Sequence, residues 1–270
     1  VSGLAIIFGM MGIINLAHGE FIMLGAYIFT ILAKASVPLV FAIALGTVFV
    51  GIFGYIVDKL VVSRLYGRAL DSVVATWGIS LLLRQGILIL LGPSIPGLTT
   101  PMGTFAVGSS TYSIYRIVLA AVAIALLAGV YWLFMHTTFG LHSRATMQSS
   151  TIAQSLGINT GRMYSMTFML GSALAGLCGA LYAPTMTITP TMGQAFQNDS
   201  FVTVIVGGAN PLIGMTASGT VLGVIQSALS MLFGTFFGKI GLLVVAIIVI
   251  RVLPQGFSGM IEKHMVKGKR

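Results

Sequence analysis

Charge is what this sequence has least of: charged residues make up 7% of its 270 positions, and only 5 of them are acidic. A soluble domain of this length carries about a quarter charged residues, so a globule wetted on all sides is excluded. The single cysteine, Cys178, rules out an intramolecular disulfide, and its apolar, Gly/Ala-rich setting reads as a buried structural thiol. The four histidines are dispersed, and no His/Cys/carboxylate group has metal-site spacing. No serine sits in a nucleophile elbow. Gly234, Gly238 and Lys239 imitate a phosphate-binding loop but lack its spacing and its closing Ser or Thr. Neither enzyme activity nor nucleotide binding by this chain is expected.

What is abundant is apolar sequence. Hydrophobic residues reach 57% and the mean hydropathy is +1.03, with long apolar runs at 39–57, 117–135 and 242–252. A helix crosses a hydrocarbon core of roughly 30 Å in about 20 apolar residues, and a lipid-facing backbone must bond within its own segment. A β-barrel needs alternating segments of about ten residues, and these runs stay apolar for longer. The expected fold is therefore all-α, a polytopic membrane bundle of about eight spans with broken or re-entrant helices. A partial first helix runs to about residue 14, a polar break occupies 15–19, and a helix continues to about 33. Further spans fall at 38–58, 70–91, 114–136, 163–183, 216–236 and 240–253. The whole chain, 1–270, reads as one transmembrane domain. Val1 opens inside an apolar helix with no basic flank, so residues upstream are expected to be missing or removed.

The formal charge of +9 and pI near 10.0 do not mark a nucleic-acid binder, because the basic residues stand at the ends of apolar runs rather than on an interleaved face. They report topology. Lys59, Arg64 and Arg68, then Arg144 and Arg162, then Lys263, Lys267, Lys269 and Arg270 define cytoplasmic regions, including the C-terminus. The stretch 92–115 has no Lys or Arg and is assigned outside, as is the start of 183–215; Lys34 and Lys239 depart from the pattern.

Two polar interruptions carry the functional interest. One contains Gly12, Asn15, His18 and Gly19; the other contains Gly207, Gly208, Asn210 and Gly214. Both hold Asn-x-x-x-Gly with glycine upstream and downstream, the pattern of an internal repeat. Broken helices in transporter folds leave free main-chain groups where solute passes; two tight turns at the membrane surface are the alternative. The segment 196–206 is too short for a span and holds Asn198 and Asp199, so a short helix backed by other helices is expected there.

Charged groups inside spans are costly and suspect. Glu20 sits beside the first break, Arg84 lies within a span, and Asp199 opens the short helix; pairing of either carboxylate with Arg84 would lower the cost. Each carboxylate can also simply favour a helix N-terminus. The neutral polar set comprises Asn15, His18, Thr76, Trp77, Ser80, Gln85, Gln194, Asn198, Thr203 and Asn210. Such groups suit a small polar solute, although each alone is equally explained by interhelical hydrogen bonding. The connection 137–162 holds a helix-compatible stretch at 143–156 with Gly157 as its stop, either a surface connector or a docking element.

At this point the residues resemble a known family, the membrane permeases of ABC importers for branched-chain amino acids, urea and short-chain amides. The resemblance rests on Gly12-Ile-Ile-Asn-Leu-Ala-His-Gly-Glu20-Phe-Ile-Met-Leu-Gly-Ala-Tyr27, on Gly140-Leu-x-x-Arg144-Ala145-x-x-Gln148 followed by Ala153-x-x-Leu156-Gly157-Ile158, on Val206-Gly-Gly208 with Gly214, and on Leu253-Pro254-Gln255-Gly256. Leu65-Tyr66-Gly67-Arg68, Ala75-Thr76-Trp77-Gly78-Ile79-Ser80-Leu81 and Asp199-Ser200-Phe201 look most like the urea and short-chain amide branch. The resemblance implies a multi-pass protein of the bacterial inner membrane. Its partners would be a second homologous permease, two cytoplasmic ATPase subunits that bind ATP and Mg, and an extracytoplasmic solute-binding protein. It makes the 137–162 loop an ATPase-docking element carrying Arg144, Ala145, Gln148, Ala153 and Gly157. The substrate expectation is urea or a short-chain amide moving past Asn15, His18, Glu20, Thr76, Trp77, Gln85, Asp199 and Asn210. The alternatives are a branched-chain amino acid, or a passive or proton-coupled carrier using His18, Glu20 and Asp199.

Overall fold

The computed structural model describes residues 1–98, 103–107, 110–208, 211–253 and 256–260. Their helices, in chain order, are α1 (Ser2–Met11), α2 (His18–Lys34), α3 (Leu39–Leu60), α4 (Ala69–Leu91), α5 (Ile114–His136), α6 (Thr138–Gln148), α7 (Ser150–Ser155), α8 (Thr160–Tyr182), α9 (Met192–Gly207), α10 (Pro211–Phe233) and α11 (Thr235–Val252). Among the described residues six helices are long and apolar enough to cross a membrane: α3, α4, α5, α8, α10 and α11. The expectation of about eight such spans is therefore met in six. The first two pieces fall short, at 10 and 17 residues, because Gly12 at φ 65° ends α1 with its N–H on the Phe8 carbonyl, a left-handed stop that glycine adopts without steric cost.

The short helix α2 is the most enclosed element. Phe21 packs edge-on against Phe53 of α3 and Phe168 of α8, with ring centroids 6.2 and 6.0 Å apart. Close approach on two sides depends on absent side chains. A Cβ on Gly25 would run into the backbone of Gly176 in α8, and one on Gly19 into the carbonyl of Gly193 in α9. Without a hydrophobic force between helices in lipid, such backbone contact and dispersion packing hold them together. Gly171, Gly176 and Gly179 give α8 the same kind of close contact, with Ile7, Val50 and Ile22 respectively.

Elsewhere the helices are far less covered. Half of the span built on α8 is buried, against 11% of α4 and 11% of α5. The segment 92–113, expected as a loop, contains two strands, β1 (Thr104–Val107) and β2 (Ser110–Ser113), antiparallel with Thr104 opposite Ser113. Ile95 and Ile188 exchange two backbone hydrogen bonds of 2.9 and 3.1 Å, so the two segments read as external meet. The expected helix at 143–156 is two helices, α6 and α7, because Ser149 is extended at φ −160° and caps the second one. Gly157 stops the second at φ 83°, as its position in the sequence foretells.

Candidate functional site

The break between α1 and α2 is built by three helices that are distant in sequence. Along α4 the buried residues Ser72, Thr76 and Ser80 recur every fourth position, which aligns them on one helix face, and Arg84 continues the series. That stripe meets the start of α2. The Leu16 N–H donates to Thr76 Oγ1 (3.1 Å), and Thr76 Oγ1 donates in turn to the Ser72 carbonyl (2.8 Å). From α9, Gln197 Oε1 accepts the Gly19 N–H at 3.0 Å, and Asn15 Oδ1 accepts the Ala17 N–H at 3.0 Å. The N–H groups of Ile13, Ile14 and Asn15 have no hydrogen-bond partner among the described residues, whereas those of Leu16, Ala17 and Gly19, at the start of α2, are capped by side chains. A helix start enclosed by protein requires this, since each buried unpaired N–H would cost about 1–3 kcal/mol.

One turn further sits a charged cluster. Glu20 is fully buried, and its Oε1 accepts from Ser80 Oγ at 2.7 Å and from Arg84 Nη2 at 2.9 Å. Arg84 Nη2 also reaches Ser80 Oγ at 3.1 Å. Gln194 of α9 faces Arg84 with its amide oxygen, accepting from Nη1 at 2.9 Å and Nη2 at 3.0 Å; the hydrogen-bond network assigns this orientation. Attraction inside a low-dielectric site offsets desolvation only when the pair is hydrogen-bonded on its remaining sides, and Ser80 and Gln194 supply those bonds. Asn15 Nδ2, His18 Nδ1, Glu20 Oε2 and Arg84 Nε remain buried without a partner among the described residues. Such atoms concentrate where a protein handles water or solute.

The structure brings together Asn15, Glu20 and Thr76, places the His18 ring instead against Gly3 of α1, and selects Glu20 over Asp199 as the partner of Arg84. Trp77 is 56% exposed and Gln85 is exposed, both turned away from the Thr76–Ser80 face. Asp199 is half-buried, and its side chain has no hydrogen-bond partner among the described residues. Asn210 lies outside the described residues, as do Lys263, Lys267, Lys269 and Arg270. Gln197 was not singled out as a cap; its spacing of three from Gln194 on one helix is the only signal that could have found it. No group of three or more His, Cys, Asp or Glu side chains is placed to hold a metal among the described residues.

The connection 137–162 has its own order. Arg144 Nε bonds the Gly140 carbonyl at 3.4 Å, and its Nη1 lies 3.5 Å from Met135 Sδ. Ala153 is buried, and Gln154 Nε2 donates to Thr160 Oγ1 at 2.7 Å. Nearby, Tyr66 donates to the buried Asp58 at 2.7 Å and stacks edge-on against Tyr164. Burial and that carboxylate push the Tyr66 hydroxyl well above its ordinary pKa, so it stays protonated as a donor at any physiological pH.

An apolar helical bundle with an interrupted, ion-paired interior defines a polytopic membrane protein of transporter type. The family described as "Branched-chain amino acid transport system / permease component" matches residues 1–253, and the chain belongs to it. The chain is similar to the high-affinity branched-chain amino acid transport system permease protein BraD of Pseudomonas aeruginosa, 26% identical over 98% of this chain and 92% of the relative. It is also similar to LivH of Salmonella typhimurium, a high-affinity branched-chain amino acid transport system permease protein, at 26% identity over 98% and 91%. The autoinducer 2 import system permease protein LsrC of Salmonella paratyphi B is 29% identical over 68% of this chain and 51% of its own length. No solved structure matches the chain. These relatives are permease subunits of transport systems rather than enzymes.

Proposed function

We propose that this chain is the permease subunit of an ATP-driven importer of branched-chain amino acids. The carrying observation is the buried Glu20–Arg84 pair at an interrupted helix, in a chain whose family and full-length relatives bear branched-chain amino acid names. Those names favour an amino acid over the urea or amide expected from sequence. In this reading α1 and α2 lie within the bilayer beside the six long helices, completing about eight spans, and α9 is a short helix backed by them. The interruptions at 12–17 and 208–210 are two copies of one repeated device along the path. The C-terminus is cytoplasmic, and residues 1–270 act as one unit.

The working assembly contains a second homologous permease, two ATPases that hold ATP and Mg, and a solute-binding protein outside. The α6–α7 hairpin docks an ATPase through Arg144, Ala145, Gln148, Ala153 and Gly157. Closure of the ATPases moves that hairpin, and the motion reaches the joint of α2, α4 and α9, switching access. The test is uptake of labelled leucine by the complete complex in liposomes. Uptake should require ATP on the ATPase side, and this chain alone should move nothing; flux through it without ATPases overturns the mechanism.

A second substrate reading stays in play because Leu65–Arg68 with Ala75–Leu81 resembles the urea and short-chain amide branch. It predicts that urea or acetamide, and not leucine, stimulates the ATPase activity of the complex.

A further inference from the structure

Arg84 lies four residues past the midpoint of α4, about 6 Å along the helix axis, yet its side chain is 22% exposed. A guanidinium at that depth does not face lipid tails. Gln194 and Asn198, four residues apart on α9, are also exposed, and Gln194 reaches Arg84 directly. The seam between α4 and α9 therefore carries a polar strip whose outer side faces water or a polar partner.

Within that strip the three groups around Arg84 are not equivalent. Glu20 and Ser80 are buried, and they fix the guanidinium from the protein side. Gln194 is exposed, and its amide oxygen spans both Nη atoms at 2.9 and 3.0 Å. A single sp² oxygen shared between the two prongs is how a guanidinium holds an amide carbonyl, and the same two prongs can take the two oxygens of a carboxylate in parallel. An exposed side chain can swing off that fork without opening the core, whereas Glu20 cannot.

We propose that Arg84 is the docking fork for the solute's planar C–O group, and that Gln194 is a built-in, displaceable occupant of it. Glu20 is a positioning residue that also cancels the charge of Arg84. The fork then has no net charge, so an overall neutral solute, a zwitterion or an amide, enters and leaves without stranding an ion. Displacement of one neutral acceptor by another keeps binding weak enough for release. The proposal rests on the importer reading above and narrows its solute to one with a carboxylate or amide oxygen.

The test uses the complete complex in proteoliposomes with leucine, leucinamide and urea as solutes. Gln194→Ala removes the competitor and should lower KM for the transported solute by about threefold to tenfold. Gln194→Glu places a permanent anion on the fork and should raise KM by about tenfold or more. In an Arg84→Lys background, which keeps the charge but not the fork, both effects should vanish. A purely structural contact would not change sign between Ala and Glu. KM shifts for leucine alone identify a carboxylate, and shifts for leucinamide or urea alone an amide carbonyl. Unchanged KM in both Gln194 variants of a transporting complex overturns the fork. Wild-type complex that imports none of the three solutes overturns the importer reading instead.

Discussion

The chain interrupts its helices at two well-described places and treats them in opposite ways. At the start of α2 the Ala17 N–H is taken locally by Asn15, but the other capped donors go to distant helices: Leu16 to Thr76, 60 residues away, and Gly19 to Gln197, 178 residues away. At Ser149 the donor is taken by the capping serine itself, from Ile152 three residues on, and Gln154 closes onto Thr160 only six residues away. The first break is a knot that ties α2, α4 and α9 together. The second is self-contained, so α6 and α7 keep their shape when moved as a unit. A protein that must carry a motion from its surface to its interior needs both kinds.

The sharpest way to break this contrast is to separate the helices at the knot. Gly19→Val puts a side chain into the Gly193 carbonyl and against the Gln197 side chain; Gln197 can swing away but the backbone of α9 cannot, so the strain exceeds the usual cost of overpacking, about 1–3 kcal/mol. The expected outcome is no folded, assembled protein, read as loss of a monodisperse peak in detergent.

Next in size is Glu20→Leu, which leaves the half-buried Arg84 guanidinium against Ser80 and Gln194 without its carboxylate. Removing one partner of a buried pair costs about 3–5 kcal/mol, visible as a large fall in Tm of the purified chain. The double variant Glu20→Leu/Arg84→Met should recover most of that loss, because the uncompensated charge is gone. Failure to recover would show that the pair is held for something other than charge balance.

Smaller again is Gln197→Leu, which strands the Gly19 N–H at the start of α2. The cost is about 1–3 kcal/mol, and it should appear alongside reduced uptake because α9 no longer grips α2. Thermal unfolding and transport measured on the same preparation check it.

How much of this was written in the sequence differs between the two regions for the same reason that their bonds differ. Helical class, most of the apolar spans, the Gly157 stop and the presence of a break before α2 are local patterns, and they were legible, although the break lies at 12–17 and not at the expected 15–19. The partnership of Glu20 with Arg84 was visible as a need, since each charge required a counterion, but its choice over Asp199 depended on which helices touch. Gln197 as a cap 178 residues away, the strand pair at 104–113 and the outward turn of Trp77 and Gln85 follow from tertiary placement, which periodicity along one helix does not carry. The shortfall in spans lies in the first two pieces: the sequence reading divided them but counted both as crossings, whereas Gly12 ends α1 earlier than expected and leaves helices of 10 and 17 residues.

The smallest expected effect tests the self-contained break. Ser149→Ala removes the side-chain cap on Ile152, and loss of an N-cap costs about 0.5–2 kcal/mol; with the bond at 3.3 Å the lower end is expected, a Tm change close to the error of measurement. Its consequence should be felt elsewhere. A six-residue helix such as α7 is too short to persist alone, so without its cap the hairpin transmits ATPase motion less faithfully. Transport per ATP hydrolysed should fall while KM for solute, set at the distant knot, stays unchanged. A variant that instead shifts KM would show that the two breaks are not independent, and the contrast between knot and hinge would have to be given up.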